Sequence, residues 1–167
     1  NIFQKAKNAN GKAYALVNLG YTYLLLAQTE QAIVYLNQAL PLLQETNDRK
    51  GETAALVNLG NAYRSLLKYD QAIFNLNQAR SIAQNVKDRR GEAKSLRILG
   101  NTYADLSQHD RAISFYSQSL LIYQEIQDRD GEAWSLNYLG NSYAALSQDD
   151  RAISFYNQAL PIFQAIQ

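Results

Sequence analysis

The stretch GEAKSLRILGNTYADLSQHDRAISFYSQSLLIYQ, residues 91–124, decides the fold, because versions of it recur every 40 residues. Its Leu99-Gly100 pair returns as Leu19-Gly20, Leu59-Gly60 and Leu139-Gly140. Gly11, Gly51, Gly91 and Gly131 precede these pairs at a constant offset, and Tyr23, Tyr63, Tyr103 and Tyr143 follow them. Ala-Ile pairs then begin at Ala32, Ala72, Ala112 and Ala152. A fixed period of this size is the signature of a solenoid, in which each repeat packs only on its neighbours. Within residues 91–124, Ala93, Leu96, Leu99 and Tyr103 fall on one helical stripe. A short polar connection, Ser107 to Asp110, leads to a second stripe of Ala112, Ile113, Tyr116, Leu120 and Ile122. Each repeat therefore reads as a helix-turn-helix hairpin of two helices of about 15–18 residues, roughly 24 Å each. The expected fold is all-α, a single array over residues 1–167. Its repeats are 11–50, 51–90, 91–130 and 131–167, and residues 1–10 align with the end of a preceding repeat's second helix.

Local chemistry sharpens the expectation. Asp88 and Asp110 are candidates to cap helix N-termini. The glycine of each Leu-Gly pair falls mid-helix, where it costs about 1 kcal/mol against alanine. Close approach of the second helix explains it best, with Ala32, Ala72, Ala112 and Ala152 as the small partners. Pro41 and Pro161 interrupt the hydrogen-bond ladder of the second helix and predict a kink near residues 37–41 and 157–161. The pairs Asp48-Arg49, Asp88-Arg89 and Asp128-Arg129 read as a cap and a surface ion pair.

Charge and composition remove several function classes. Sixteen basic and fifteen acidic residues leave a net charge of +1. That balance argues against non-specific nucleic-acid binding and against an anionic membrane surface. With no cysteine, disulfides and thiolate metal sites are excluded, which fits a reducing, cytoplasmic setting. No apolar run reaches the length of a membrane span, and no signal peptide is visible. The chain opens on Asn1 and contains no methionine, which reads as a piece of a longer array. The single histidine, His109, lies in a predicted connection with no cysteine or paired carboxylates beside it. No Gly-Lys-Ser/Thr phosphate loop occurs. The chain is expected to be no enzyme and to need no cofactor and no metal.

These residues resemble the tetratricopeptide repeat, whose pattern runs Trp-x2-Leu-Gly-x2-Tyr, Ala-x3-Phe, Pro. Leu16, Leu56, Leu96 and Leu136 stand at the Trp position. Leu36, Leu76, Tyr116 and Tyr156 replace the Phe, and Gln44, Gln84, Gln124 and Gln164 replace the Pro. The 40-residue period and the Asp-Arg-x-Gly-Glu segment are similar to a long-repeat subclass. That subclass includes animal cell-polarity adaptors that bind short regulatory peptides, and bacterial, notably cyanobacterial, signalling arrays beside peptidase or ATPase domains. The resemblance implies a right-handed superhelical solenoid whose first helices line a concave groove for a protein or peptide partner.

Carried onto this chain, the groove positions are Tyr14, Val17, Tyr21, Leu24 and Leu25; Ala54, Val57, Asn61, Arg64 and Ser65; Lys94, Arg97, Asn101, Ala104 and Asp105; and Trp134, Asn137, Asn141, Ala144 and Ala145. Their spacing keeps them on one helical face. The third and fourth repeats agree at about 26 of 37 positions, and the changes include Lys94/Trp134, Arg97/Asn137, Ile98/Tyr138 and Asp105/Ala145. Packing positions hardly change. Arg64, Lys94 and Arg97 suit a carboxylate, the asparagines suit a ligand's amides, and Trp134 suits an apolar anchor. The chaperone-binding carboxylate clamp is incomplete: Asn58 and Lys94 fit it, whereas Val17, Tyr21 and Ile98 do not. The rival readings are a structural array that self-associates through its end helices and a regulatory arm of a larger signalling enzyme. Ile153, Tyr156, Leu160, Phe163 and Ile166 lie on the last of those helices.

Overall fold

A computed structural model describes the backbone of residues 2–166 and the side chains of residues 8–166. It contains α1 (Ile2–Leu25), α2 (Thr29–Glu45), α3 (Arg49–Ser65), α4 (Tyr69–Asn85), α5 (Arg89–Asp105), α6 (His109–Glu125), α7 (Arg129–Ala145) and α8 (Asp149–Ala165). No strand occurs among the described residues. From α2 to α8 every helix has 17 residues. Three-residue turns join them, and this produces the 40-residue period.

Each turn uses one device. Its middle residue, Ala27, Asn47, Leu67, Lys87, Ser107, Gln127 or Ser147, is left-handed, with φ between 53° and 59°. In the first turn, Gln28 N–H donates to the Tyr23 carbonyl at 2.8 Å and Ala27 N–H donates to that of Leu24 at 3.1 Å. These two bonds close the helix end in the Schellman manner. None of the seven residues is glycine, so each carries the strain of a side chain in this region, about 1–2 kcal/mol.

Helix starts fall into two kinds. Asp48, Asp88 and Asp128 accept from the N–H of Gly51, Gly91 and Gly131 at 2.9, 3.0 and 3.1 Å, which satisfies an orphan donor of each first helix. The second helices start after Gln28, Lys68, Gln108 and Gln148, with no side-chain cap bond. Asp110, expected as a cap, lies instead inside the first turn of α6, where its charge meets the positive end of the helix dipole. His109 is the first residue of α6 and not part of the connection.

Residues 2–10, aligned above with the tail of a preceding second helix, continue into α1 without a turn. Asn8 and Ala9 stand where Asp48-Arg49 would stop and restart the chain, so the capping carboxylate is missing. Helices α2 and α8 run on through Pro41 and Pro161. Asn37 and Asn157, whose carbonyls lose their donor, are exposed to water.

The chain divides into two compact units, Asn1–Gly91 and Glu92–Gln167. In the first, Ala13, Leu16 and Val17 of α1 pack with Leu36, Ala39 and Leu43 of α2 and with Ala55 and Leu59 of α3. In the second, Ala112 and Tyr116 of α6 pack with Leu139 of α7, and Ala133 and Leu136 of α7 pack with Ala159 and Ile162 of α8.

The mid-helix glycines make room for a larger partner than alanine. A Cβ at Gly20 would stand 2.5 Å from Leu36 Cγ, and one at Gly100 or Gly140 would stand 2.5 Å from the ring of Tyr116 or Tyr156. At Gly60 it would run into Leu76. The partner is therefore the residue four positions after Ala32, Ala72, Ala112 and Ala152, and a bulky ring or branched chain fills the notch.

The Asp-Arg pairs also resolve differently from a surface ion pair. The Asp caps its helix, and Arg49 Nη1 donates to Glu52 Oε2 at 2.7 Å. Arg129 pairs with Glu132 in the same way. Gln44 and Gln124, at the position where the repeat pattern has proline, donate to the other oxygen of Glu52 and Glu132 at 3.0 and 3.1 Å. A buried glutamate thus ties each of these second helices to the first helix of the next repeat.

Candidate functional site

Face positions of the first helices divide between the two units. In the unit Asn1–Gly91, Tyr21 and Leu25 are half or more exposed, and Tyr14 is 44% exposed. Leu24, Asn61 and Arg64 are half-buried, and Ala54 and Ser65 are exposed. The Tyr14 phenol is held above its ordinary pKa of 10.0, chiefly by its hydrogen bond to the Asp48 carboxylate and then by burial. Tyr14 therefore also serves the scaffold, tying α1 to the cap of α3.

Val17 departs from the expected placement. It is 6% exposed and sits in the core cluster with Leu16, Leu36 and Leu59. Val57, at the same register, is 5% exposed. A short branched side chain packs down at this position, whereas Arg97 and Asn137 are long or polar enough to reach the surface. Both valines are scaffold residues.

In the unit Glu92–Gln167, Lys94, Asp105, Trp134, Asn141, Ala144 and Ala145 are exposed, and Arg97, Asn101, Ala104 and Asn137 are half-buried. Trp134 joins a continuous row of four aromatic residues. Phe163 meets Trp134 edge-on at 5.2 Å, Trp134 stacks on Tyr138 at 5.8 Å, and Tyr138 stacks on Tyr116 at 5.4 Å. The Arg97 guanidinium carbon lies 6.0 Å from the centre of the Tyr138 ring. Beneath the row, the Tyr116 hydroxyl donates to Asn101 Oδ1 at 2.8 Å, and Tyr156 does the same to Asn141. These bonds correct the picture of wholly ligand-directed asparagines, since each carbonyl oxygen is already engaged within its hairpin.

Arg97 Nε is buried and has no hydrogen-bond partner among the described residues. A half-buried guanidinium over a ring is suited to a planar carboxylate. Trp134 keeps 41% of its surface open, so an apolar or aromatic group can pack beside it. Sequence reasoning missed Tyr138 and Phe163 as parts of this surface. The Ile98/Tyr138 change between repeats was the signal for the first. Phe163 belongs to a second helix, and only the fold brings it to Trp134.

Other aromatic groups hold the hairpins together. Tyr103 stacks on Phe115 at 5.2 Å and Tyr143 on Phe155 at 5.4 Å, with Arg111 and Arg151 each 5.4 Å from the tyrosine ring. Among the described residues no group of three or more His, Cys, Asp or Glu could hold a metal ion. No helix among them is long and apolar enough to cross a membrane.

The tetratricopeptide repeat profile matches residues 11–85, 51–125 and 91–165, and so spans nearly the whole chain. The chain belongs to the tetratricopeptide repeat family. No curated protein sequence matches it. Among solved structures it is similar to aspartyl phosphate phosphatase F from Bacillus subtilis, with a TM-score of 0.88, 18% identity, and coverage of 94% of this chain and 41% of that one. It is similar to BtubC from P. vanneervenii, with a TM-score of 0.79, 20% identity, and coverage of 92% and 64%. A third likeness is to a signal transduction ATPase from Pyrococcus horikoshii with a tetratricopeptide repeat sensor. There the TM-score is 0.78, the identity 18%, and the coverage 93% and 24%. The chain thus spans less than two thirds of each of these proteins, and the likeness concerns the fold.

Proposed function

We propose that the chain is a non-catalytic protein-interaction module, working in the cytoplasm. Its unit Glu92–Gln167 takes a short peptide carrying an acidic residue beside an aromatic or apolar anchor. The observation that carries this reading is Arg97, whose guanidinium lies over Tyr138, next to the half-open Trp134. A ligand carboxylate would meet Arg97, and the anchor would pack on Trp134. The Nδ2 donors of Asn101, Asn137 and Asn141 remain for peptide carbonyls. Lys94 would add a favourable field, and Asp105 would discriminate against a second acidic residue at its end.

The unit Asn1–Gly91 offers Tyr14, Tyr21, Leu24, Asn61 and Arg64, a more apolar surface suited to a separate segment of a partner. Family membership supports an interaction role, since stacked repeats present extended surfaces with little room for buried catalytic groups. The near-neutral charge fits a protein or peptide partner better than nucleic acid or membrane. The 40-residue spacing supports kinship with the long-repeat members.

Selection from a displayed peptide library tests the reading. The parent chain should enrich acidic-apolar sequences. An Arg97→Glu, Trp134→Ala variant, confirmed helical by circular dichroism, should lose them. Enrichment of the same peptides by both proteins would contradict the assignment.

A further inference from the structure

The asparagines that follow the Leu-Gly pairs are not alike. Asn101 and Asn141 each accept at Oδ1 from a tyrosine hydroxyl of the next helix, Tyr116 and Tyr156, both at 2.8 Å. That length is usual for an O–H donor to an oxygen and short for an N–H donor. Both repeats of the unit Glu92–Gln167 thus hold the amide the same way round. In the unit Asn1–Gly91, Asn61 stands at this register, and the tyrosine position holds Leu76. Leucine has no hydroxyl to fix the Asn61 amide.

Burial makes the contact at Asn101 firm. Tyr116 is 2% exposed, its ring fills the notch at Gly100, and it stacks on Tyr138 at 5.4 Å. Turning the Asn101 amide over would break the bond and set its N–H groups against the hydroxyl proton. Arg97 stands four residues before Asn101 on α5, and such residues are neighbours, with about 5–6 Å between Cβ atoms. A guanidinium has donors only. With the Asn101 amide fixed, the two side chains together offer donors and no acceptor.

We infer that Tyr116 is a positioning residue that sets specificity: by holding Asn101 Oδ1 it makes this level of the groove select a ligand carboxylate over a carboxamide. The inference rests on the peptide-binding reading of the unit Glu92–Gln167. A glutamate offers one oxygen to Arg97 and the other to Asn101. A glutamine of the same shape offers one oxygen and turns its NH2 against the second donor. Asn61 is free to present either end of its amide, so the unit Asn1–Gly91 makes no such distinction at this register.

Two measurements test this. In the free protein, nitrogen-15 relaxation of the side-chain amides should show Asn101 ordered and Asn61 mobile. Tyr116→Phe keeps the ring in its notch and should make Asn101 as mobile as Asn61. For binding, the full chain is titrated with a short peptide holding one glutamate beside a phenylalanine, and with its glutamine counterpart. Tyr116→Phe should lower the preference for glutamate about fivefold, the worth of one hydrogen bond. The same substitution in an Asn101→Ala chain should leave the preference unchanged. A loosened fold would weaken both peptides alike and would not move their ratio. An Asn101 amide as mobile as Asn61 in the parent overturns the inference and leaves the groove reading standing. So does a preference that Tyr116→Phe leaves unchanged or raises. A parent chain that binds neither peptide overturns the groove reading and this inference with it.

Discussion

Gly100 shows how one missing side chain shapes a hairpin. Its notch receives the Tyr116 ring, and the ring's hydroxyl then reaches Asn101. Gly100→Ala overpacks this contact, which costs about 1–3 kcal/mol against about 1 kcal/mol of gained helix propensity. The expected net is a loss on the order of 1 kcal/mol, read as a lower melting temperature. Ser107→Gly should act the other way. It relieves a left-handed residue and should stabilise by about 1 kcal/mol in thermal or denaturant unfolding. Tyr14 predicts a pH effect. Its folded pKa is raised by Asp48, so its contribution is complete below the unfolded phenol's pKa and is lost as pH rises through the folded value. Tyr14→Phe should flatten the alkaline fall in stability, measured by denaturation over an alkaline pH series.

At the scale of the element, the Asp-x-x-Gly cap and the Gln-Glu-Arg tie recur with the repeat. Asp128→Ala removes a bond to Gly131 N–H and should cost about 1 kcal/mol. Glu132→Ala strands the donors of Gln124 and Arg129 and should cost about 1–3 kcal/mol. A double-mutant cycle with Gln124→Ala should show coupling between the two. The helix-turn-helix repeat and the caps at Asp48, Asp88 and Asp128 were legible because periodicity and capping chemistry are local, whereas Asp110 was misread as a cap and residues 2–10 as a separate helix end. The partner of each Leu-Gly glycine was not legible, because alanine and the ring four residues later lie on the same face of the second helix. The Arg-Glu pairing was hidden for a similar reason: Asp and Glu both lie near each arginine in sequence, and only the cap geometry removes the Asp. Val17 was misplaced because family register alone cannot tell a side chain that packs down from one that reaches out.

At the scale of the molecule, the chain is a tetratricopeptide repeat protein of two compact units, with the most elaborated surface on Glu92–Gln167. Position in the repeat pointed to Lys94, Arg97 and Trp134, but the aromatic row through Tyr138 and Phe163 needed the fold. Trp134 is the only tryptophan, so the proposed site carries its own reporter. The most direct measurement is a fluorescence titration with a short peptide holding one glutamate beside a phenylalanine, run against the same peptide with lysine for glutamate. The account predicts a saturable change in Trp134 emission with the acidic peptide alone. Arg97→Glu should weaken that binding by about thirtyfold, equivalent to about 2 kcal/mol. Equal responses to the two peptides, or an affinity that Arg97→Glu leaves unchanged, would contradict it.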